Sequence, residues 1–396
     1  MSAVEVANLE HESKALQPIA LPAWVYRHPE MTRLELERVL LPSWQIVCHV
    51  NSIPKAGDFV TFELGTESVF VLRDRDGSVR AFHNVCRHRG ARLLDGVGSC
   101  PQALTCPYHG WTYRHDGGLI GTPMKDSFVK LDRADHALKP VRVDTALGFV
   151  FVALAGDPPP VATVWGALAA ELAPYRIEEM VPLGPLTADI WEVDWKVAMD
   201  NYLESYHVPI GHPGLNRMFT PDYEDQASVP GVARGISWLR DTESSRWSER
   251  LYQRLIGKVA THLPERERRC WRFYSALPNL GIDVYPDKMD FFQVLPHGTG
   301  RCLIRAGIFG LPDPRPEMAA VRYLSGRIND QVNDEDRWLC GRVQRGLASS
   351  SYTPGPLSGI ERWLLQFHDL LRDRIPEVRL PSAPPAFGAA PAITRD

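Results

Sequence analysis

Four residues stand out by type and spacing: Cys86 and His88 in C-R-H-R-G (86–90), and Cys106 and His109 in C-P-Y-H-G-W (106–111). Two thiolates and two imidazoles are a donor set for a thiophilic metal centre. The C-x-H and C-x-x-H spacings put each pair on one tight loop, with Gly90 after the first pair and Pro107 and Gly110 shaping the second. Two kinds of centre fit. A structural zinc takes four such ligands around one ion. A [2Fe–2S] cluster takes both cysteines on one iron and both histidines on the other, which raises its potential above that of an all-cysteine cluster. Spacing alone leaves both open. The remaining cysteines, Cys48, Cys100, Cys270, Cys302 and Cys340, have no patterned company and read as small buried hydrophobes.

A second group lies in D-W-K-V-A-M-D-N-Y-L-E-S-Y-H-V-P-I-G-H-P-G (194–214). If a helix starts near Trp195, then Asp200, Glu204 and His207 follow at spacings of four and three and share one face. Pro209 and Gly211 end that helix and leave His212 on the following turn. Two neutral imidazoles can then face one ion, although a lone helical histidine is more often structural. Two histidines and one carboxylate form a triad that leaves coordination positions open for O2 on Fe(II). The third ligand must come from a distant Asp or Glu. On a helix over 328–347, Val332, Asp336, Leu339, Val343 and Leu347 make one stripe, with Asp336 its lone charge. A carboxylate placed there is costly unless a cation or metal faces it. Asp334 and Glu335 fall on other faces towards water, with Glu335 the runner-up ligand.

These residues need elements to hold them. Residues 1–40 read as an N-terminal arm with a short helix near Met31–Leu40. Residues 41–160 read as a small all-β domain: 58–64, 68–74 and 148–154 are β-branched and aromatic runs of strand length, and Asp-Gly at 76–77 signals a hairpin. Residues 161–396 mix helices (VWGALAAELAPY, the stretch through His207, and about 317–348) with strands at 280–286, 289–296 and 302–309. Strands in series beside long helices indicate α+β rather than alternating βαβ. The Pro- and Ala-rich end from Pro381 reads as a loose tail.

Composition excludes several classes. The chain of 396 residues is 44% hydrophobic and 23% charged, with net charge −4 and no long like-charge block, so nucleic acid is not an expected partner. The E-R-E-R-R run at 265–269 reads as a solvated helix face. No export signal opens the chain, and the most apolar stretch, 147–156, is too short to span a bilayer. Seven cysteines, an odd number, argue against a disulfide framework. The default is a soluble cytoplasmic protein without a membrane partner.

With their flanking residues, C-R-H-R-G and C-P-Y-H-G-W closely resemble the Rieske domain of ring-hydroxylating and related oxygenases, and D-x3-E-x2-H-x4-H resembles the catalytic iron motif of the same family. The resemblance runs from about residue 40 to about residue 370. It implies a Rieske [2Fe–2S] cluster, with Cys86 and Cys106 on one iron and His88 and His109 on the other. It implies mononuclear Fe(II) on His207, His212 and Asp336, the last also indicated by E-D followed by V-Q-R-G-L. It implies a terminal oxygenase that hydroxylates a small organic substrate with O2. A catalytic domain of helix-grip, START-like form would follow the β domain, with the pocket where the helix bearing His207 meets the sheet. In the family a carboxylate matching Glu204 joins an iron-binding His to a cluster His of the neighbouring subunit, which implies a homotrimer with Asp200 as support. No G-x-G-x-x-G fingerprint follows a strand, so electrons would come from a separate NAD(P)H-dependent reductase, through a ferredoxin or directly. E-S-Y-H at 204–207 and Y-T-P-G-P-L-S-G-I-E at 352–361 resemble the choline, carnitine and glycine-betaine branch. Tyr202, Tyr206, Trp271, Phe273, Tyr274, Tyr285, Phe291 and Phe292 could wall a quaternary ammonium there, although alternating aromatics are more often core. Aromatic or N-alkylated small molecules lead as substrates, with simple quaternary ammonium compounds next. A bare Rieske electron carrier would need no second site.

Overall fold

The structure is a computed structural model that describes residues 18–220, 224–225 and 231–385. The loose-tail reading therefore falls mostly outside the described residues. The arm enters as a helix, α1 (Pro29–Glu35), capped by His28 and continued by a wider turn over Leu36–Leu40. The β-rich half that follows holds three small sheets. β1 (Gln45–His49) pairs with β10 (Phe149–Ala153), and β10 with β9 (Arg142–Ala146). β2 (Asp58–Leu64), β3 (Glu67–Arg73), β4 (Val79–His83) and β5 (Val97–Ser99) form an antiparallel sheet in the order β4-β3-β2-β5. β6 (Leu104–Thr105), β7 (Thr112–Tyr113) and β8 (Leu119–Gly121) make a small meander. The Asp-Gly signal is a hairpin turn: Gly77 takes φ +85° and Asp74 N donates to Ser78 O at 2.8 Å.

The second half is organised by one large antiparallel sheet. β11 (Val181–Pro182) and β12 (Thr187–Trp191) both pair with β18 (Cys302–Gly310). The sheet continues through β17 (Met289–Pro296), β16 (Leu280–Val284), β15 (Cys270–Ala276), β14 (Val232–Trp238) and β13 (Glu224–Asp225). The mixed α+β class is as the sequence indicates. The helices of this half are α2 (Trp195–Tyr202), which packs on β17, α3 (Val208–Gly211), α4 (Pro213–Met218), α5 (Trp247–Val259), α6 (Pro316–Gly346) and α7 (Arg362–Arg374), whose Phe367 packs on Trp195 of α2. The V-W-G-A-L-A-A-E-L-A-P-Y stretch is a string of single turns rather than one helix. E-R-E-R-R forms a short 3-10 turn, and it is not wholly a solvated face, because Glu267 turns in to accept from Arg272 at 2.6 Å.

Two corrections concern the helices that carry chemistry. The predicted helix through His207 stops at Tyr202, so Asp200, Glu204 and His207 do not share a helical face. The cause is local: the Glu204 carboxylate accepts the His207 backbone N–H at 3.0 Å, and such a bond competes with continued helix. On α6 the predicted stripe fails at Val343, which is 52% exposed; the buried line runs through Leu324, Ile328 and Cys340 instead.

Buried contacts join the halves. Residues of the arm (Leu21, Val25, Met31), of β1 and β2, and of α2 and α7 (Trp195, Phe367, Leu371) share one apolar cluster. Each large side chain so buried contributes about 1.5–3 kcal/mol. The fully buried Lys196 of α2 forms ion pairs with Glu35 of α1 at 2.5 Å and with Asp194 at 2.6 Å. Trp195 Nε1 donates to the other Glu35 oxygen at 2.6 Å. From β18, the buried Arg305 donates to the carbonyls of Ile46, at 3.0 Å, and Val47 on β1. Burial pushes its pKa down to about 10.

Candidate functional site

The first site is built from two loops of one design. After β4, Cys86 N donates to Ala91 O at 2.8 Å and Gly90 N to Cys86 O at 3.1 Å; between β6 and β7, Cys106 N donates to Trp111 O at 2.8 Å and Gly110 N to Cys106 O at 3.0 Å. Gly90 and Gly110 take φ +75° and +70°, a conformation that disfavours side-chain-bearing residues. Both thiols are buried, and both imidazoles are partly exposed, with ring centroids 4.6 Å apart. His88 stacks on Trp111 at 4.8 Å, and Tyr113 Oη stands 3.3 Å from Cys86 Sγ while accepting from Arg87 N at 3.0 Å. His88 Nδ1 is buried with no hydrogen-bond partner, an orphan that an iron would satisfy. Ligands of one tetrahedral zinc stand about 3.5 Å apart. Among the described residues, the group of three or more His, Cys, Asp or Glu donors lying within 4.8 Å of one another is at the second site, not here.

At the second site His207, His212 and Asp336 converge. His207 Nε2 and His212 Nε2 are 3.1 Å apart, and Asp336 Oδ1 lies 3.0 Å from His212 Nε2 and 3.6 Å from His207 Nε2. Donors bonded to one ion at about 2.1 Å stand about 3 Å apart when cis, so these spacings fit a shared metal. Asp336 Oδ1 is buried with no hydrogen-bond partner, as an oxygen meant for a metal would be. Behind the histidines, Glu204 Oε1 lies 2.5 Å from His207 Nδ1, and Glu335 Oε2 lies 2.8 Å from His212 Nδ1. Asn201 Nδ2 is 3.4 Å from His207 Nε2. Burial opposes charge at His207, but Asp336 and Glu204 outweigh it and raise its pKa to about 9. His212 also rises, burial being outweighed chiefly by Asp336. Asp336 falls despite burial because both imidazoles face it. The side chains thus form one coupled cluster in which a divalent cation fits.

Every sequence-assigned residue but one is at its site. Asp200 turns away, accepting from Tyr26 Oη at 2.6 Å and lying 3.1 Å from His368 Nε2. Glu335 keeps a partly exposed side chain but sits behind His212, on the far side of the ring from Asp336. Trp111 closes the C-P-Y-H-G-W motif, whereas no spacing marks Tyr113 or Asn201. The aromatics divide. Trp271, Tyr274, Tyr285 and Phe291 are core, and Tyr206 is exposed. Phe273 and Phe292 share one sheet face with Asp283 and Asp290, and Tyr202 Oη donates to Asp283 Oδ1 at 2.7 Å. Burial lifts the Asp283 pKa well above the usual carboxylate range, and lifts Asp290 to about 6. A cavity of about 400 Å³, lined in part by His262, Lys288 and Arg322, lies at the opposite end of α6 from Asp336 and is not at the metal cluster. A crevice of about 30 Å³ between α4, α5 and α6 adjoins Glu335.

Comparison with known proteins identifies both domains. The Rieske [2Fe-2S] domain model matches residues 43–139, and the ring hydroxylating alpha subunit (catalytic domain) model matches residues 178–377. The glycine betaine monooxygenase oxygenase subunit of Chromohalobacter salexigens is 31% identical over 372 residues, covering 86% of this chain and 82% of that protein. The chloroplastic choline monooxygenase of Arabidopsis thaliana is 31% identical over 369 residues, covering 89% and 82%. A quaternary ammonium Rieske monooxygenase solved with L-carnitine shares the fold at TM-score 0.75 and 23% identity, covering 90% of this chain and 96% of that one. Naphthalene 1,2-dioxygenase from Rhodococcus sp. shares it at 0.70 and 20%, covering 89% and 93%.

A cluster loop on a β domain beside a two-His-one-carboxylate site on an α+β domain defines an oxidoreductase that receives electrons and spends them on O2. The chain belongs to the Rieske oxygenase family, as a ring-hydroxylating-type alpha subunit. It is thus a terminal oxygenase with a [2Fe–2S] cluster and a mononuclear iron, acting on a small molecule with a reductase partner. No helix among the described residues is long and apolar enough to cross a membrane.

Proposed function

We propose that this chain hydroxylates an N-methylated, quaternary ammonium-type substrate, with the cluster on Cys86, His88, Cys106 and His109 and the iron on His207, His212 and Asp336. The convergence of those last three donors around the orphaned Asp336 oxygen carries the reading. Residues 41–160 serve as the cluster domain and residues 161–396 as the catalytic domain. Bound in this triad, Fe(II) supplies open positions for O2, while the cluster passes single electrons. The protein groups prepare for this. Glu204 accepts the His207 Nδ1 proton, which leaves the Nε2 lone pair facing the metal position. Asp336 contributes a charge that no hydrogen bond consumes. Glu204 also links the iron histidine to His109 of a neighbouring chain, which calls for a ring, a homotrimer. Electrons reach it from NAD(P)H through the reductase, with or without a ferredoxin. The five cysteines outside the cluster loops, all free thiols, suit a reducing compartment such as the cytoplasm.

The substrate class rests on the relatives, named for glycine betaine and choline, and on the ring faces of Phe273 and Phe292 on one side of the large sheet. An aromatic substrate is the second reading, favoured by the shared fold with naphthalene dioxygenase. The test pairs metal content with turnover. Asp336→Ala should lower iron from about three to about two per chain and leave about two acid-labile sulfides. Normal iron in that variant would remove Asp336 from the site. Reductase-fed O2 uptake should couple to glycine betaine, choline or carnitine; coupling to an aromatic acid alone would move the assignment to the second reading.

A further inference from the structure

We infer that Glu335 is a positioning residue that fixes the tautomer and orientation of His212. The inference rests on the assignment of His212 and Asp336 as iron ligands. Glu335 and Asp336 are consecutive on α6, and they hold opposite ends of one imidazole: Oε2 of Glu335 lies 2.8 Å from Nδ1, and Oδ1 of Asp336 lies 3.0 Å from Nε2. The ring is 2% exposed, so no water competes freely for either nitrogen. With Nδ1–H donated to Glu335, the Nε2 lone pair points into the triad. The other tautomer would aim an N–H at Asp336 and exclude a cation. Glu335 is itself restrained, its second oxygen accepting from Gln331 Nε2 at 2.8 Å one turn earlier. The two supports differ in kind. Glu204 belongs to the same loop as His207, whereas Glu335 reaches across from α6 to the segment bearing His212. That segment lies tight on α6, since a Cβ on Gly211 would stand 2.8 Å from Leu339 Cδ1. Helix and loop are thus tied by the same ring that binds the metal. Glu335 is not a ligand, because it faces the nitrogen turned away from the triad.

The experiment is anaerobic titration of the full, cluster-containing chain with Co(II) alone, read by affinity and by the ligand-field spectrum, with cluster absorbance as the fold control. Glu335→Ala should weaken Co(II) binding 10–100-fold and shift the bands. Glu335→Gln should retain most of the affinity, because its amide oxygen still accepts from Nδ1–H. Gln331→Ala, which loosens Glu335 without touching His212, should fall between. Wild-type affinity and spectrum in Glu335→Ala would overturn the proposal, as would a Glu335→Gln as weak as the alanine variant, which would mean that charge rather than positioning matters. If Glu335→Ala also lost its cluster, Gln331→Ala decides, and an unchanged titration there overturns the role. Failure of the wild-type chain to bind Co(II) in a His212-dependent manner would overturn the ligand assignment itself.

Discussion

Glu204 spends both carboxylate oxygens on one neighbour, Oε1 against the His207 ring and Oε2 on its backbone N–H. One group therefore sets both the ring and the turn that presents it. Glu204→Gln keeps the size and one acceptor oxygen but loses the charge. Both metals should stay bound, while cluster reoxidation in the presence of substrate and O2 slows roughly 10–100-fold. An unchanged stopped-flow rate would take the carboxylate out of the electron route. At this scale the sequence is informative where chemistry demands rare residue types. Cys86, His88, Cys106 and His109 stand out as a metal-donor set by type and spacing, and Asp336 stands out as a charge among mostly apolar positions, although Val343 of that stripe is exposed. Asp200 misleads because carboxylates look alike in a sequence. Only the fold reveals that Tyr26 and His368 claim it. Glu335 was visible beside Asp336, but spacing cannot tell which nitrogen of a histidine a carboxylate will face.

Strands were the more legible elements. The runs at 289–296 and 58–64 are strands from end to end, because β-branched and aromatic alternation is set by nearest neighbours. Helix ends were less so. Nothing in the periodicity of 195–207 announces that a side chain will capture the His207 amide and stop α2 at Tyr202. The start of α2 is held from two directions. Asp194 caps it through Lys196 N at 3.0 Å, and Gln344 of α6 accepts from Asp194 N at 2.9 Å. Below that cap the Lys196 ammonium, kept protonated against burial by Asp194 and Glu35, ties α1 to the helix that leads into the iron loop. Lys196→Met would leave two buried carboxylates facing each other without a cation. We predict a loss of about 3–5 kcal/mol and a melting point roughly 4–6 °C lower. A calorimetric drop below about 2 °C would show that the ion pairs contribute little, and adding Glu35→Gln to the variant should recover part of the loss.

Across the whole molecule, stability should depend on pH through His49 at the junction of the halves. Its ring is buried, with Nε2 3.1 Å from Ile177 O and Nδ1 accepting from Asn51 N at 3.1 Å, so the neutral form uses both nitrogens. Burial lowers its pKa from 6.5 to about 4, with the Ile177 carbonyl only partly opposing. Between those values the unfolded chain binds a proton that the native chain refuses. Stability from this group is therefore intact above pH 6.5 and declines as pH falls towards 4, by up to about 3 kcal/mol. Urea midpoints at pH 7 and pH 4.5 should differ more for the wild type than for His49→Gln, and equal differences would remove His49 as the cause. The same junction bears on how such chains can be recombined. Arg305, rooted in the large sheet, satisfies two carbonyls of β1, and a severed front half would leave those carbonyls bare and the guanidinium with nothing to hold. A hybrid joining the electron-receiving half of one relative to the substrate-binding half of another would have to carry β1 along with its arginine, so the seam for grafting lies inside the front half and not at the boundary near residue 160.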